Sequence, residues 1–128
     1  TNLRHVLRHE RRDSAARLTE QAKAYIEEHY KESDLSADSL CRCLNVSAAY
    51  FSTIFKREVG MSFVAYLTKI RLEHALELLR TTEDKTYIIA SRVGYMEPNY
   101  FSYVFKKQYG ISPSKYRAEM SVKEKNED

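Results

Sequence analysis

Apolar positions along this chain recur three and four residues apart, and the polar stretches between them are short. Leu18, Ala22, Tyr25, Ile26 and Tyr30 follow that rhythm and predict a helix over roughly 16–31. A second helix, roughly 37–44, turns Leu40, Cys41 and Leu44 inward behind Ser36 as its N-cap. Asn45 suits the turn that follows, where a left-handed residue is needed. Ser47 caps a third helix, roughly 48–59, which Gly60 closes. The fourth, roughly 63–80, is apolar on more than one side, through Phe63, Tyr66, Leu67, Ile70, Leu72, Ala75, Leu78 and Leu79. A helix that serves a packed unit at each end needs such a surface. A fifth helix (roughly 87–93) stops at Gly94, and a sixth (roughly 98–109) opens on Pro98 and ends at Gly110. Ser112 and Pro113 start a seventh that runs to about residue 120. Before residue 16 the chain is polar and arginine-rich. It reads as a solvated linker or as the end of a connecting helix, with Leu3, Val6 and Leu7 as its one apolar stripe. Residues 121–128 are charged, with Val122 alone apolar, and read as a disordered tail.

The pattern is also a repetition. Residues 50–62 return at 100–112 with Tyr, Phe, Ser, Phe, Lys, Gly and Ser at the same spacing, and Tyr66 and Tyr116 extend the match. Upstream, Leu40 to Asn45 is echoed by Ile89 to Gly94, with one extra residue in the second turn. Each copy is a short helix, a tight turn and a second helix with a basic outer face. Internal repetition sets architecture. The expected fold is all-α, with about seven helices: two helix-turn-helix subdomains joined by a long central helix. The divisions are 1–15 as linker, 16–61 and 81–120 as the subdomains, 62–80 as the linking helix and 121–128 as tail.

Composition agrees with an all-helical chain of 128 residues, in which glycine and proline number only three and two. Net charge is +3, too small to argue for a polyanionic partner by itself. Its distribution says more. Residues 86–118 hold Arg92, Lys106, Lys107, Lys115 and Arg117 against Glu97 alone, whereas 18–35 is acidic. Cys41 and Cys43 point to different faces of one helix and cannot easily pair. With no further cysteine and no nearby histidine they make a poor metal site. Cys41 stands where the second copy has Ala90 and reads as a small core residue. His5, His9 and His29 show no ligand spacing, and His74 reads as packed or solvated. No apolar run approaches membrane length, no signal peptide is visible, and a cytoplasmic setting is expected. The chain opens on Thr1, which suggests a piece of a longer protein with another domain upstream.

On the wheel of the third helix, Phe51, Ile54, Phe55 and Val59 face one way, and Ala49, Ser52, Thr53 and Lys56 the other. On the sixth, Phe101, Val104, Phe105 and Tyr109 turn in, while Asn99, Ser102, Tyr103 and Lys106 stay out. The aromatic stripes are core. Either outward face alone is an ordinary solvated surface. Together they follow one order: small or hydrogen-bonding residues first, then Lys56 and Arg57 or Lys106 and Lys107. The second helix of a helix-turn-helix enters the DNA major groove, with its first residues on base edges and basic residues further along on phosphate. Asn99 is the best candidate reader, since asparagine bonds adenine through both amide atoms. Arg71, among apolar neighbours, reads as structural, paired with an acid or a carbonyl.

The segment Leu35 to Arg117 resembles the DNA-binding domain of AraC/XylS-family bacterial transcription regulators. The likeness rests on Leu67-Thr68-Lys69-Ile70-Arg71-Leu72 with Ala75 and Leu78-Leu79, on Ile89-Ala90 and Val93-Gly94-Tyr95, on Tyr100-Phe101-Ser102 with Phe105-Lys106-Lys107, and on Gly110, Ser112-Pro113 and Tyr116-Arg117. It implies two recognition helices in adjacent major grooves of one double-stranded site, with RNA polymerase as a further partner. Tyr25-Ile26 and His29-Tyr30 resemble the variant fused to a receiver domain in two-component response regulators, so a receiver or ligand-sensing domain is expected upstream. Two positions depart from the family: Thr53 and Tyr103 stand where arginine is frequent, which weakens any expectation of guanine contacts. The DNA-facing set is therefore Ala49, Ser52, Thr53, Lys56, Arg57, Asn99, Ser102, Tyr103, Lys106 and Lys107. No catalytic, cofactor or metal residues are expected. The rival readings are a helical protein-interaction module without DNA binding and a small enzyme built on a cysteine.

Overall fold

The computed structural model describes residues 2–127, and the side chains of residues 8–124. It contains helices α1 (Asn2–His29), α2 (Ala37–Leu44), α3 (Ala48–Val59), α4 (Phe63–Thr81), α5 (Thr86–Arg92), α6 (Pro98–Tyr109) and α7 (Pro113–Glu127). No strand occurs among the described residues.

The ends of the inner helices are set by local chemistry. The Ser36 hydroxyl accepts from the Ser39 N–H at 3.1 Å, and the Ser39 hydroxyl accepts from the Ser36 N–H at 3.0 Å, so α2 opens on a reciprocal cap. Ser47 accepts from the Tyr50 N–H to start α3, and Ser112 accepts from the Lys115 N–H to start α7. Asn45 ends α2 at φ 57°, and Gly60 and Gly110 end α3 and α6 at φ 87° and 81°.

Both outer helices are longer than expected. α1 begins at Asn2, so residues 2–15 are helical, as the connecting-helix reading had it and the linker reading did not, and α7 runs to Glu127 where a tail was expected. Neither stretch holds a glycine or an internal proline to stop it. Arg, Leu, Glu, Ala and Lys all favour the helix, although too few are apolar to promise a packed face. The side chains of Leu3, Val6, Leu7 and His5 lie outside the described residues.

The chain divides into two compact units. The first comprises residues 1–29 and 35–68. In it α1, α2 and α3 pack on one another. Ala22, Ile26, Leu40, Phe51 and Phe55 are sealed from solvent. The Phe51 ring meets Phe55 and Phe63, and Phe55 meets Tyr66 edge-on.

The second unit comprises residues 30–34 and 69–128. Leu72, Ala75, Leu79, Ile89, Val93, Phe101 and Phe105 form its buried core. Phe105 lies between the rings of Phe101, Tyr109 and Tyr116. Residues 30–34 belong here because Arg71 holds them. Its Nε donates to the Tyr30 carbonyl oxygen at 2.9 Å and its Nη2 to that of Glu32 at 2.8 Å. Its guanidinium lies 5.3 Å from the Tyr95 ring centre. Burial pulls the Arg71 pKa below the ordinary arginine value, and Tyr95 opposes that pull. Arg71 is thus structural, with carbonyls as its partners. His74 stacks on Tyr30, ring centres 4.1 Å apart. Gly94 closes this arrangement. Its φ is 104°, and a Cβ there would come within 2.5 Å of the Tyr30 carbonyl oxygen and 2.8 Å of Arg71 Nε. Only glycine fits.

Candidate nucleic-acid interface

Burying one stripe of α3 presents the opposite one. With Phe51, Ile54 and Phe55 inside, Ala49, Ser52, Thr53, Lys56 and Arg57 are all exposed. Ser52, Thr53, Lys56 and Arg57 line one open groove of about 490 Å³ along the helix. The expected face of the first unit is therefore assembled as a single surface. Arg57 also bonds Glu58 at 3.2 Å, a pairing that any anion on Arg57 has to share.

On α6, Phe101 and Phe105 are fully buried, and Asn99, Tyr103, Lys106 and Lys107 are exposed, with Ser102 half-buried. Pro98 occupies the first turn, and the N-cap residue Glu97 makes no side-chain cap. The Asn99 amide makes no hydrogen bond to another described residue. Both its donor and its acceptor remain available. Tyr100 and Tyr103 stack on the same face, ring centres 6.4 Å apart, and Lys107 Nζ lies 6.0 Å from the Tyr103 ring centre. Tyr100 and Met96 were not among the expected site residues, yet they are 57 % and 81 % exposed.

The positive charge of the second unit is smaller in effect than its residues suggest. Arg92 Nη1 pairs with Asp84 Oδ2 at 2.6 Å. Arg117 donates to three carbonyl oxygens: Leu79 at 3.0 Å, Thr82 at 3.1 Å and Asp84 at 2.5 Å. These include orphan carbonyls at the C-terminus of α4, so Arg117 is a helix cap from a distant part of the chain. Lys106, Lys107 and Lys115 remain exposed.

Elsewhere the chemistry is sparse. Among the described residues no group of three or more His, Cys, Asp or Glu is placed to hold a metal ion. Both thiols are free, Cys41 buried and Cys43 exposed. Burial pushes the Cys41 thiol above the ordinary value, and Asp38 adds to the rise. That disfavours the thiolate a nucleophile needs. No described helix is long and apolar enough to cross a membrane.

A family model described as a helix-turn-helix domain matches residues 40–119, from within α2 through α3, α5 and α6 into α7. The chain belongs to the AraC-type helix-turn-helix family. The C-terminal domain of AraT, a response regulator from Geobacillus stearothermophilus, is 47% identical. It superposes with a TM-score of 0.78 over 80% of this chain and 84% of that one. The DNA-binding domain of AdpA, a global transcriptional factor solved in complex with a target DNA, is 26% identical. Its TM-score is 0.78, over 82% of this chain and 94% of that one. YisR, an HTH-type transcriptional regulator of Bacillus subtilis strain 168, is 37% identical over 107 residues, 84% of this chain. The chain spans 37% of YisR and 36% of RafR, the raffinose operon regulator of Pediococcus pentosaceus. This AraC-type domain thus corresponds to little more than a third of such regulators.

Proposed function

We propose that this AraC-type domain binds double-stranded DNA in a sequence-specific manner for a bacterial transcription regulator, with α3 and α6 in successive major grooves of one site. The observation that carries the reading is the shared order of the two outward faces. Ala49, Ser52 and Thr53 precede Lys56 and Arg57; Asn99, Ser102 and Tyr103 precede Lys106 and Lys107. Base edges take the first group and phosphates the second. The DNA complex of AdpA supports the partner. The likeness to the C-terminal domain of AraT supports an upstream receiver domain, and RNA polymerase is the natural downstream partner of such a regulator. A non-catalytic role in the cytoplasm follows from the same reading.

Hydroxyl-radical footprinting on a site selected from random duplexes is the direct test. Two protected segments on one face, centred about 34 Å apart, are expected. Protection of one segment means that a single head binds. A helical protein-interaction module is the competing reading, and DNA affinity that ignores salt concentration would favour it.

A further inference from the structure

The inner stripe of α1 changes character along its length. Ile26, Ala22, Thr19, Leu18 and Ala15 are buried, and the same stripe continues at three- and four-residue spacing to Arg12, Arg11 and Arg8. Where the helix leaves the core, its inward side is therefore arginine. These three arginines line an open cleft of about 570 Å³ with Arg57 and Glu58 of α3. All three are exposed, and none forms an ion pair with a described side chain. Glu10 and Asp13 fall on the other side of the helix, where Asp13 Oδ2 lies 3.3 Å from His9 Nε2. Arg8 and Arg12 are one turn apart, a like-charge spacing that disfavours an isolated helix. Among the described residues, the cleft is lined by four guanidiniums and the carboxylate of Glu58, which already bonds Arg57.

We infer that Arg8, Arg11 and Arg12, with Arg57, form a second phosphate-binding surface that grips the DNA backbone flanking the segment faced by α3. This rests on the DNA-binding reading above. Two observations choose DNA over an acidic protein. Arg57 lines both this cleft and the groove of Ser52, Thr53 and Lys56, so the two surfaces are continuous. Among the described residues that line it, the cleft also has no apolar side chain to form the centre that a protein interface is built around. Guanidinium suits the task, because its planar fork bonds phosphate oxygens in pairs. No base is read there. The contact adds affinity and salt dependence on one flank only.

The test compares this chain with the triple variants Arg8→Ala/Arg11→Ala/Arg12→Ala and Arg8→Lys/Arg11→Lys/Arg12→Lys. Each is titrated over a range of salt on two duplexes: a short one ending at the α3 segment, and one extended beyond it on that side. The native chain on the short duplex is measured first; lack of salt-dependent binding there sinks the DNA reading and this inference with it. Given that binding, the native chain gains affinity from the extension. The alanine variant loses that gain, and the magnitude of its salt slope falls by about 2–3, at ~0.9 per phosphate released. It weakens on specific and random DNA alike, roughly tenfold or more in moderate salt. The lysine variant keeps the slope, which separates charge from helix structure. Circular dichroism confirms that helix content is retained, as expected for exposed Arg→Ala. An alanine variant with the native slope and the native gain from the extension overturns the inference while leaving the DNA reading intact.

Discussion

The outward face of α3 opens on two methyl groups, Ala48 and Ala49, whereas that of α6 opens on Asn99 between Pro98 and Tyr100. Behind these faces the heads are near copies. Phe51 and Phe101 are sealed alike, as are Phe55 and Phe105, and a left-handed glycine ends each recognition helix. The inner residues answer to packing density, which is the same problem twice. The outer ones answer to whatever lies against them. The first head adjoins the arginine cleft of α1, and its own face is small. The second has spent Arg92 and Arg117 on internal partners and exposes an amide and stacked tyrosines. On the proposed DNA-binding reading, the first head would lean more on the backbone and the second more on base edges.

The equivalent turns offer the sharpest break in that symmetry. Asn45 and Gly94 occupy matching positions, but only Gly94 is pressed against another carbonyl. Gly94→Ala is expected to cost about 3 kcal/mol, combining left-handed strain with disturbance of the Arg71 hydrogen bonds. Asn45→Gly is expected to change stability by no more than about 0.5 kcal/mol. Urea unfolding of both variants checks the pair, and equal losses would mean that the close approach at Gly94 is not what matters.

Next in size is Ala49→Glu. A carboxylate facing phosphate and base edges is expected to cost about 2–3 kcal/mol of binding, and footprinting should lose only the segment under α3. Loss of both segments would show that the heads do not dock independently.

Asn99→Ala should cost ~1–3 kcal/mol on the best site and relax preference at one or two base pairs. Random-sequence affinity should barely move, because no charge is lost. Titration against a panel of single-base-pair variants decides it, and an unchanged rank order transfers the reading role to Tyr103 or Ser102.

The smallest effect is expected at Lys106. Replacement by alanine should weaken specific and random DNA alike and reduce the magnitude of the salt slope by about 1. An unaltered slope removes Lys106 from the interface.

What could be seen in the sequence was local. The caps at Ser36, Ser47 and Ser112, the stops at Asn45, Gly60 and Gly110 and the two aromatic stripes all depend on neighbours within a turn or two, and each is where its spacing placed it. The repeat doubled the weight of every such sign. What stayed hidden depends on distant partners. Arg117 looked like one more surface cation until its three carbonyls came from residues 79–84. Gly94 read as a helix stop, and its second reason, the carbonyl of Tyr30, lies far off in sequence. Arg8, Arg11 and Arg12 were visible as residues but not as a surface, since a polar stretch does not announce that it continues a buried stripe. Of the site itself, both outward faces could be read, while the pairing of Arg57 with Glu58 and the stacking of Tyr103 could not.

The two cysteines of α2 differ in a way that makes the first head measurable by itself. Cys43 is open to solvent, whereas Cys41 is buried, and burial pushes its thiol above the ordinary value. A thiol reagent should therefore mark Cys43 at once and wait at Cys41 for a spontaneous opening of the helix. The fast site is an attachment point for a fluorophore beside the recognition helix. The slow one is a stopwatch for local opening, and how far bound DNA slows it would report how tightly duplex clamps the first head shut.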